Sequence, residues 1–87
     1  MPKVFIPASL RLAANGLREV ELPGATVREL VLALEQRFPA LKGRLREEDK
    51  LRAGLAVSID STVSLRGLMQ EVAPSSEVHF LAAIGGG

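Results

Sequence analysis

The sequence predicts an α+β domain: a mixed sheet of four to five strands, one main helix packed on one face, and an extended C-terminal tail. Three observations carry that prediction. Apolar residues alternate with period two over four separate segments, the mark of half-buried strands. A single segment, Val27–Phe38, carries apolar residues at helical spacing instead. The chain has 87 residues, 47% of them hydrophobic and none of them cysteine. That length allows one domain with one core, and the missing cysteine excludes a disulfide scaffold.

The elements follow in order. Lys3–Pro7 alternates, with Val4 and Ile6 on one side and Lys3 and Phe5 on the other, and Pro7 marks its end because proline cannot donate to a ladder. Ala8–Ala14 is a connection, with Leu10 and Leu12 available to pack inward. Asn15-Gly16 is a turn, since both residues tolerate positive φ. Arg18–Leu22 alternates again, placing Val20 and Leu22 inward, and should pair antiparallel with the first strand. Pro23-Gly24-Ala25 breaks the sheet, and Thr26 with Glu29 three residues on forms a capping box. The helix then runs from Val27 to Phe38, with Val27, Leu30, Val31, Leu34 and Phe38 in one stripe and Arg28, Glu29, Glu35 and Gln36 away from it. Pro39 stops it.

Lys42–Arg52 carries charges of both signs and reads as a solvated loop or short helical turn. Leu55–Asp60 is a third strand with Leu55, Val57 and Ile59 inward. Ser61–Ser64 is a turn leading to a very short strand near Val63–Leu65, and Gly67–Val72 holds a helical turn. Glu77–Ala83 is the last strand, with Val78, Phe80 and Ala82 on one face and His79, Leu81 and Ala83 on the other. One helix on one face of a mixed sheet buries a single apolar stripe economically. Placing the first and last strands side by side and parallel at the sheet centre gives the β-grasp, or ubiquitin-like, fold. The domain is residues 1–83, and residues 84–87 form a flexible glycine tail.

Composition excludes several functions. A net charge of +1 and only three aromatics, all Phe, leave no footprint for nucleic acid. No segment approaches the ~20 apolar residues of a membrane span. Met1-Pro2-Lys3-Val4 has no signal-peptide character, so the expected location is the cytoplasm. His79 is the single imidazole, so no metal site is expected. Ser58, Asp60 and His79 lack the nucleophile elbow and cleft of a hydrolytic triad. The chain is not expected to be an enzyme.

The unusual feature is the ending Ile84-Gly85-Gly86-Gly87. Residues without Cβ can pass through a slot too narrow for side chains, and Ala82 to Gly87 extended would reach about 20 Å. The run follows directly on a strand, without the polar residues of a tag. Its last group is an α-carboxylate, a poor electrophile that needs activation, most directly as an acyl-adenylate from ATP. The chain has no phosphate-cradling glycine loop of its own, so activation must come from a partner.

Several segments together resemble the ThiS/MoaD family of ubiquitin-like sulfur carriers. They are Val4-Phe5-Ile6-Pro7 with Leu10-Arg11; Gly24-Ala25-Thr26-Val27-Arg28-Glu29-Leu30; Leu34 and Phe38-Pro39-Ala40-Leu41; and Val78 through the terminal glycines. The resemblance implies a mechanism. An adenylating enzyme similar to the ubiquitin-activating enzymes, using ATP and magnesium, would activate the Gly87 carboxylate. A sulfur donor would convert it to a thiocarboxylate, and a downstream sulfur-accepting enzyme would take the sulfur. Gly86 and Gly87 match the family's diglycine; Gly85 is a mild departure, as is Asp60-Ser61-Thr62 where the family has a polar turn. No cofactor is expected on this chain itself. The stretch Leu41–Gly54 and the ending make it look most like the small subunit of molybdopterin synthase or the cysteine-synthesis (CysO-type) carrier. Phe5, Leu81 and Ile84 are expected to dock the activating enzyme, with Gly85 entering its slot. The alternatives are a ubiquitin-like modifier conjugated through Gly87, or a binding module without covalent chemistry.

Overall fold

In a computed structural model, which describes residues 1–82, the alternating segments form one sheet. The strands are β1 (Lys3–Phe5), β2 (Glu19–Glu21), β5 (Leu55–Ile59), β6 (Thr62–Val63) and β7 (Glu77–Ala82). Their order across the sheet is β2-β1-β7-β5-β6. β1 and β2 pair antiparallel, with Val4 opposite Val20. The ladder extends past the strand ends through Ile6 N–H donating to Arg18 at 2.8 Å and Leu22 N–H to Pro2 at 3.1 Å. β7 lies between β1 and β5, parallel to the first and antiparallel to the second. A parallel β1–β7 pair cannot be closed by a hairpin. The long connection between them is what carries the helix over one face.

That helix is α1 (Val27–Arg37). Thr26 caps it in extended conformation, its Oγ1 accepting from Glu29 N–H at 3.3 Å. Glu29 Oε1 in return accepts from Ala25 N–H at 2.8 Å, one residue earlier than a standard capping box would place it. Phe38 is the C-cap rather than the last helical residue, and Pro39 begins a short 3-10 turn. Val27, Leu30, Val31 and Leu34 are fully buried against Val4, Val57 and Val78 of the sheet. Full burial of each such side chain contributes about 1.5–3 kcal/mol.

The structure departs from the sequence reading in the middle of the chain. The charged stretch is not a loop or helical turn: it folds as a second, two-stranded sheet of β3 (Arg46–Glu47) and β4 (Lys50–Leu51). Leu41 and Leu45 anchor it in the core, and Glu48 takes a positive φ of 56° to make the turn. This hairpin covers one flank of α1, so Glu35, expected on the solvent side, is only 5% exposed. Its Oε1 receives Arg46 Nη2 at 2.9 Å. Ala8–Ala14 holds two 3-10 turns. Leu10 packs against the core, but Leu12 is 94% exposed and does not pack inward. Asn15 and Gly16 take φ of 57° and 79°, as their turn requires. The short strand near Val63 is Thr62–Val63, entered through Asp60 and Ser61 at positive φ.

Candidate functional site

The helix covers one face of the sheet, so side chains pointing the other way from β1 and β7 have only neighbouring strands beside them. The parallel register sets Phe5 beside His79. Their rings stack with centroids 4.0 Å apart and planes within 5°. Across β7, His79 stands opposite Ser58, and Ser58 opposite Val63 of β6. One lateral row of the outer face therefore reads Phe5, His79, Ser58, Val63. In the next row toward the end of β7, Leu81 stands opposite Ala56. Leu81 is 36% exposed, Val63 56%, and Leu65, two residues on, 98%.

Of the expected docking residues, Phe5 and Leu81 are thus brought to one apolar face. Ile84, Gly85, Gly86 and Gly87 lie outside the described residues. What the structure fixes is their point of departure. β7 is the central strand, flanked by β1 and β5, and the sequence continues from its end toward the glycines. Phe5, His79 and Leu81 lie on the strand that leads to the glycines or on its parallel neighbour. The sequence reading missed Val63 as an extension of this face. The signal was present, since Val63-Ser64-Leu65 alternates; what it lacked was the pairing partner that tells which way Val63 points.

The triad reading is excluded by hydrogen bonding as well as by shape. Asp60 Oδ1 accepts from Glu77 N–H at 2.8 Å, which turns it to the start of β7 rather than toward His79. Ser58 is buried within the sheet. Among the described residues there is no cluster of three His, Cys, Asp or Glu side chains able to hold a metal ion, and no helix long and apolar enough to cross a membrane. An open concavity of about 1230 Å³ lies between α1 and the β3–β4 hairpin. Its walls mix Glu35, Asp49, Arg46 and Lys50, and none of its residues lies on β1 or β7. It is an open gap beside the hairpin, away from the strand that leads to the glycines.

Comparison with known proteins agrees with the fold. A family model described as the ThiS family matches residues 4–87. The chain belongs to the ThiS family. A chain of the crystal structure of the Amycolatopsis orientalis BexX/CysO complex superposes with a TM-score of 0.89 at 34% identity, covering 100% of both chains. The solution structure of small archaeal modifier protein 1 from Methanosarcina acetivorans gives a TM-score of 0.78 at 30% identity, covering 99% of this chain and 95% of that one. Mycobacterium tuberculosis CysO shares the fold, with a TM-score of 0.86 at 24% identity over 97% of this chain and 100% of that one. No curated protein matches. This ThiS-family chain is therefore a β-grasp protein of the ubiquitin-like carrier and modifier class. Small carriers of this family are not enzymes themselves, and the first of these structures is that of a complex, BexX/CysO.

Proposed function

We propose that this protein carries sulfur on its C-terminal carboxyl. A partner adenylating enzyme, with ATP and magnesium, activates Gly87 and pyrophosphate leaves. Sulfide then displaces AMP to give the thiocarboxylate directly, whereas a persulfide displaces AMP to give an acyl disulfide. A second thiol cleaves that acyl disulfide to the thiocarboxylate, forming a disulfide with the donor sulfur. A second partner then accepts the sulfur in a biosynthetic pathway, of which cysteine synthesis is the first to test, given the likeness to a CysO complex at 34% identity. The observation that carries this reading is the place of β7. The strand that hands the chain on to Gly85-Gly86-Gly87 is central in the sheet and carries Leu81 and His79 on an uncovered face. A partner seated on that face lies over the route to the glycines. Phe5 and Leu81 are its docking residues, Ile84 and Gly85 follow the strand toward the partner, and Gly86 and Gly87 enter its active site.

The test is intact-mass analysis after incubation with ATP, an adenylating enzyme and a sulfide or persulfide donor. A gain equal to exchange of one oxygen for sulfur is expected, and it should vanish when Gly87 is deleted. No gain with adenylating enzymes of the thiamine, molybdopterin and cysteine pathways would overturn the proposal.

The likeness to an archaeal modifier protein at 30% identity favours a second reading. Here the same adenylate ends as an isopeptide bond between Gly87 and a lysine of another protein. Larger conjugates that disappear on deletion of Gly87 would establish it. A purely non-covalent module would keep its function without Gly86 and Gly87.

A further inference from the structure

The uncovered sheet face is not uniform. One row begins with Phe5 on β1, passes the His79 ring stacked on it and the small Ser58, and ends at Val63 on β6. On the opposite side of Phe5, across the β1–β2 ladder, stands Glu19. In the neighbouring row, away from Leu81, the register sets Glu21, Lys3 and Glu77 side by side. Glu19, Glu21 and Glu77 are exposed, and among the described residues none of the three forms a salt bridge. Lys3 is the one cation in these rows. Arg18, next along β2, falls on the side of Val20 that faces the helix, because its carbonyl pairs with Ile6. The face is thus anionic along its β2 edge and the start of β7, and apolar toward β6 and the end of β7.

A partner covering Phe5 also covers Glu19, since the two are register partners. A carboxylate taken out of water without a counter-charge is strongly unfavourable. Three carboxylates against one ammonium leave an unmatched negative charge that only the partner can offset. We propose that the partner docking on this face is apolar at its centre and cationic on the flank that meets Glu19, Glu21 and Glu77, so that charge fixes which way round it sits. This rests on the sulfur-carrier reading for the identity of the partner, though not for the chemistry of the surface. Rim charges of this kind act mainly on encounter rate and orientation. Phe5, Leu81 and Val63 hold the complex once formed, and the acidic edge aligns it so that the glycine end meets the partner's active site.

Two measurements test this. In the first, thiocarboxylate formation with the adenylating enzyme is compared for the wild type, Glu19→Gln/Glu21→Gln, and a control pair, Glu47→Gln/Glu48→Gln, on the hairpin. The β2 pair should raise KM about five-fold at low ionic strength with kcat unchanged. The effect should fall below about two-fold at 1 M salt, where the Debye length is ~3 Å. Unchanged KM, an effect insensitive to salt, or an equal effect from the hairpin pair would overturn the proposal while leaving the carrier function standing. The second measurement needs no enzyme. The isotope-labelled protein is titrated with two synthetic peptides that share a leucine centre and differ in lysine or glutamate ends, and amide shifts are followed by NMR. Shifts at Phe5, His79, Glu19 and Glu21 with the lysine peptide, and several-fold weaker ones with the glutamate peptide, are expected. Equal binding of the two peptides, or binding elsewhere, refutes the surface assignment even if no thiocarboxylate forms.

Discussion

The ion pair under the hairpin makes a quantitative prediction. Arg46 Nη2 lies 2.9 Å from Glu35 Oε1, with the side chains 26% and 7% exposed. Their gross attraction at an effective dielectric of 20 is about 6 kcal/mol. Desolvation of two ions, several kcal/mol each, largely offsets it. Glu35 Oε2 and Arg46 Nε are buried without a partner, so the pair is held by one contact where a side-on guanidinium would make two. The pair should therefore add little over an apolar pair of similar size. Removing only the arginine is a different matter, because it leaves a buried carboxylate without a counter-ion. Arg46→Met should destabilise the fold by about 3 kcal/mol, the lower end of the range for broken buried pairs, since Arg46 is a quarter exposed. Glu35→Leu/Arg46→Met should lose less than ~1 kcal/mol. Urea unfolding followed by circular dichroism separates these outcomes, and in a thermal melt the single variant should fall by roughly 12–24 °C. A double variant as unstable as the single one, or a harmless Arg46→Met, would refute the claim that the uncompensated carboxylate sets the loss.

Three further outcomes follow from the geometry. A Cβ at Gly24 would meet Leu30 Cδ2 at 3.0 Å and Glu29 Cβ at 3.2 Å; with Leu30 fully buried, Gly24→Ala should destabilise by about 1–2 kcal/mol in the same urea titration. Thr26→Ala removes the oxygen that accepts from Glu29 N–H and should lose about 1 kcal/mol, while Thr26→Ser should be nearly neutral. Phe5→Ala removes half of the Phe5–His79 stack and should weaken binding of the adenylating enzyme at least ten-fold by calorimetry, about 1.4 kcal/mol; an unchanged Kd would remove Phe5 from the docking face.

Much of the fold was legible because each element carried its own period. Val4, Val20, Val57 and Val78 sit at inward positions of period-two segments, and all four are buried. Val27, Leu30, Val31 and Leu34 recur at helical spacing, and all are buried too. The parallel placing of β1 beside β7 followed from combining a central first strand with a central last one; the pattern left Phe5 beside either His79 or Leu81, and the register sets it beside His79. The hairpin was not legible. Its strands are two residues each, too short to show alternation, and their residues are nearly all charged. Its consequence, the burial of Glu35, depends on a contact eleven residues away that no local pattern encodes. The uncovered face of the sheet was half legible. Phe5 and Leu81 alternate outward on their own strands, whereas the neighbourhood of Glu19, Phe5, His79 and Val63 exists only across strands.

The parallel register of β1 and β7 has a practical side. Lys3 pairs with Glu77, the first residue of a six-residue strand, so the chain enters β1 and leaves β7 at opposite poles, about 17 Å apart along β7 alone. A fluorophore, affinity handle or surface tether attached ahead of Met1 sits at the pole opposite the end of β7. The same handle placed after Gly87 converts the terminal carboxylate into an amide. For anyone preparing this protein, the sheet itself dictates at which end it should be held.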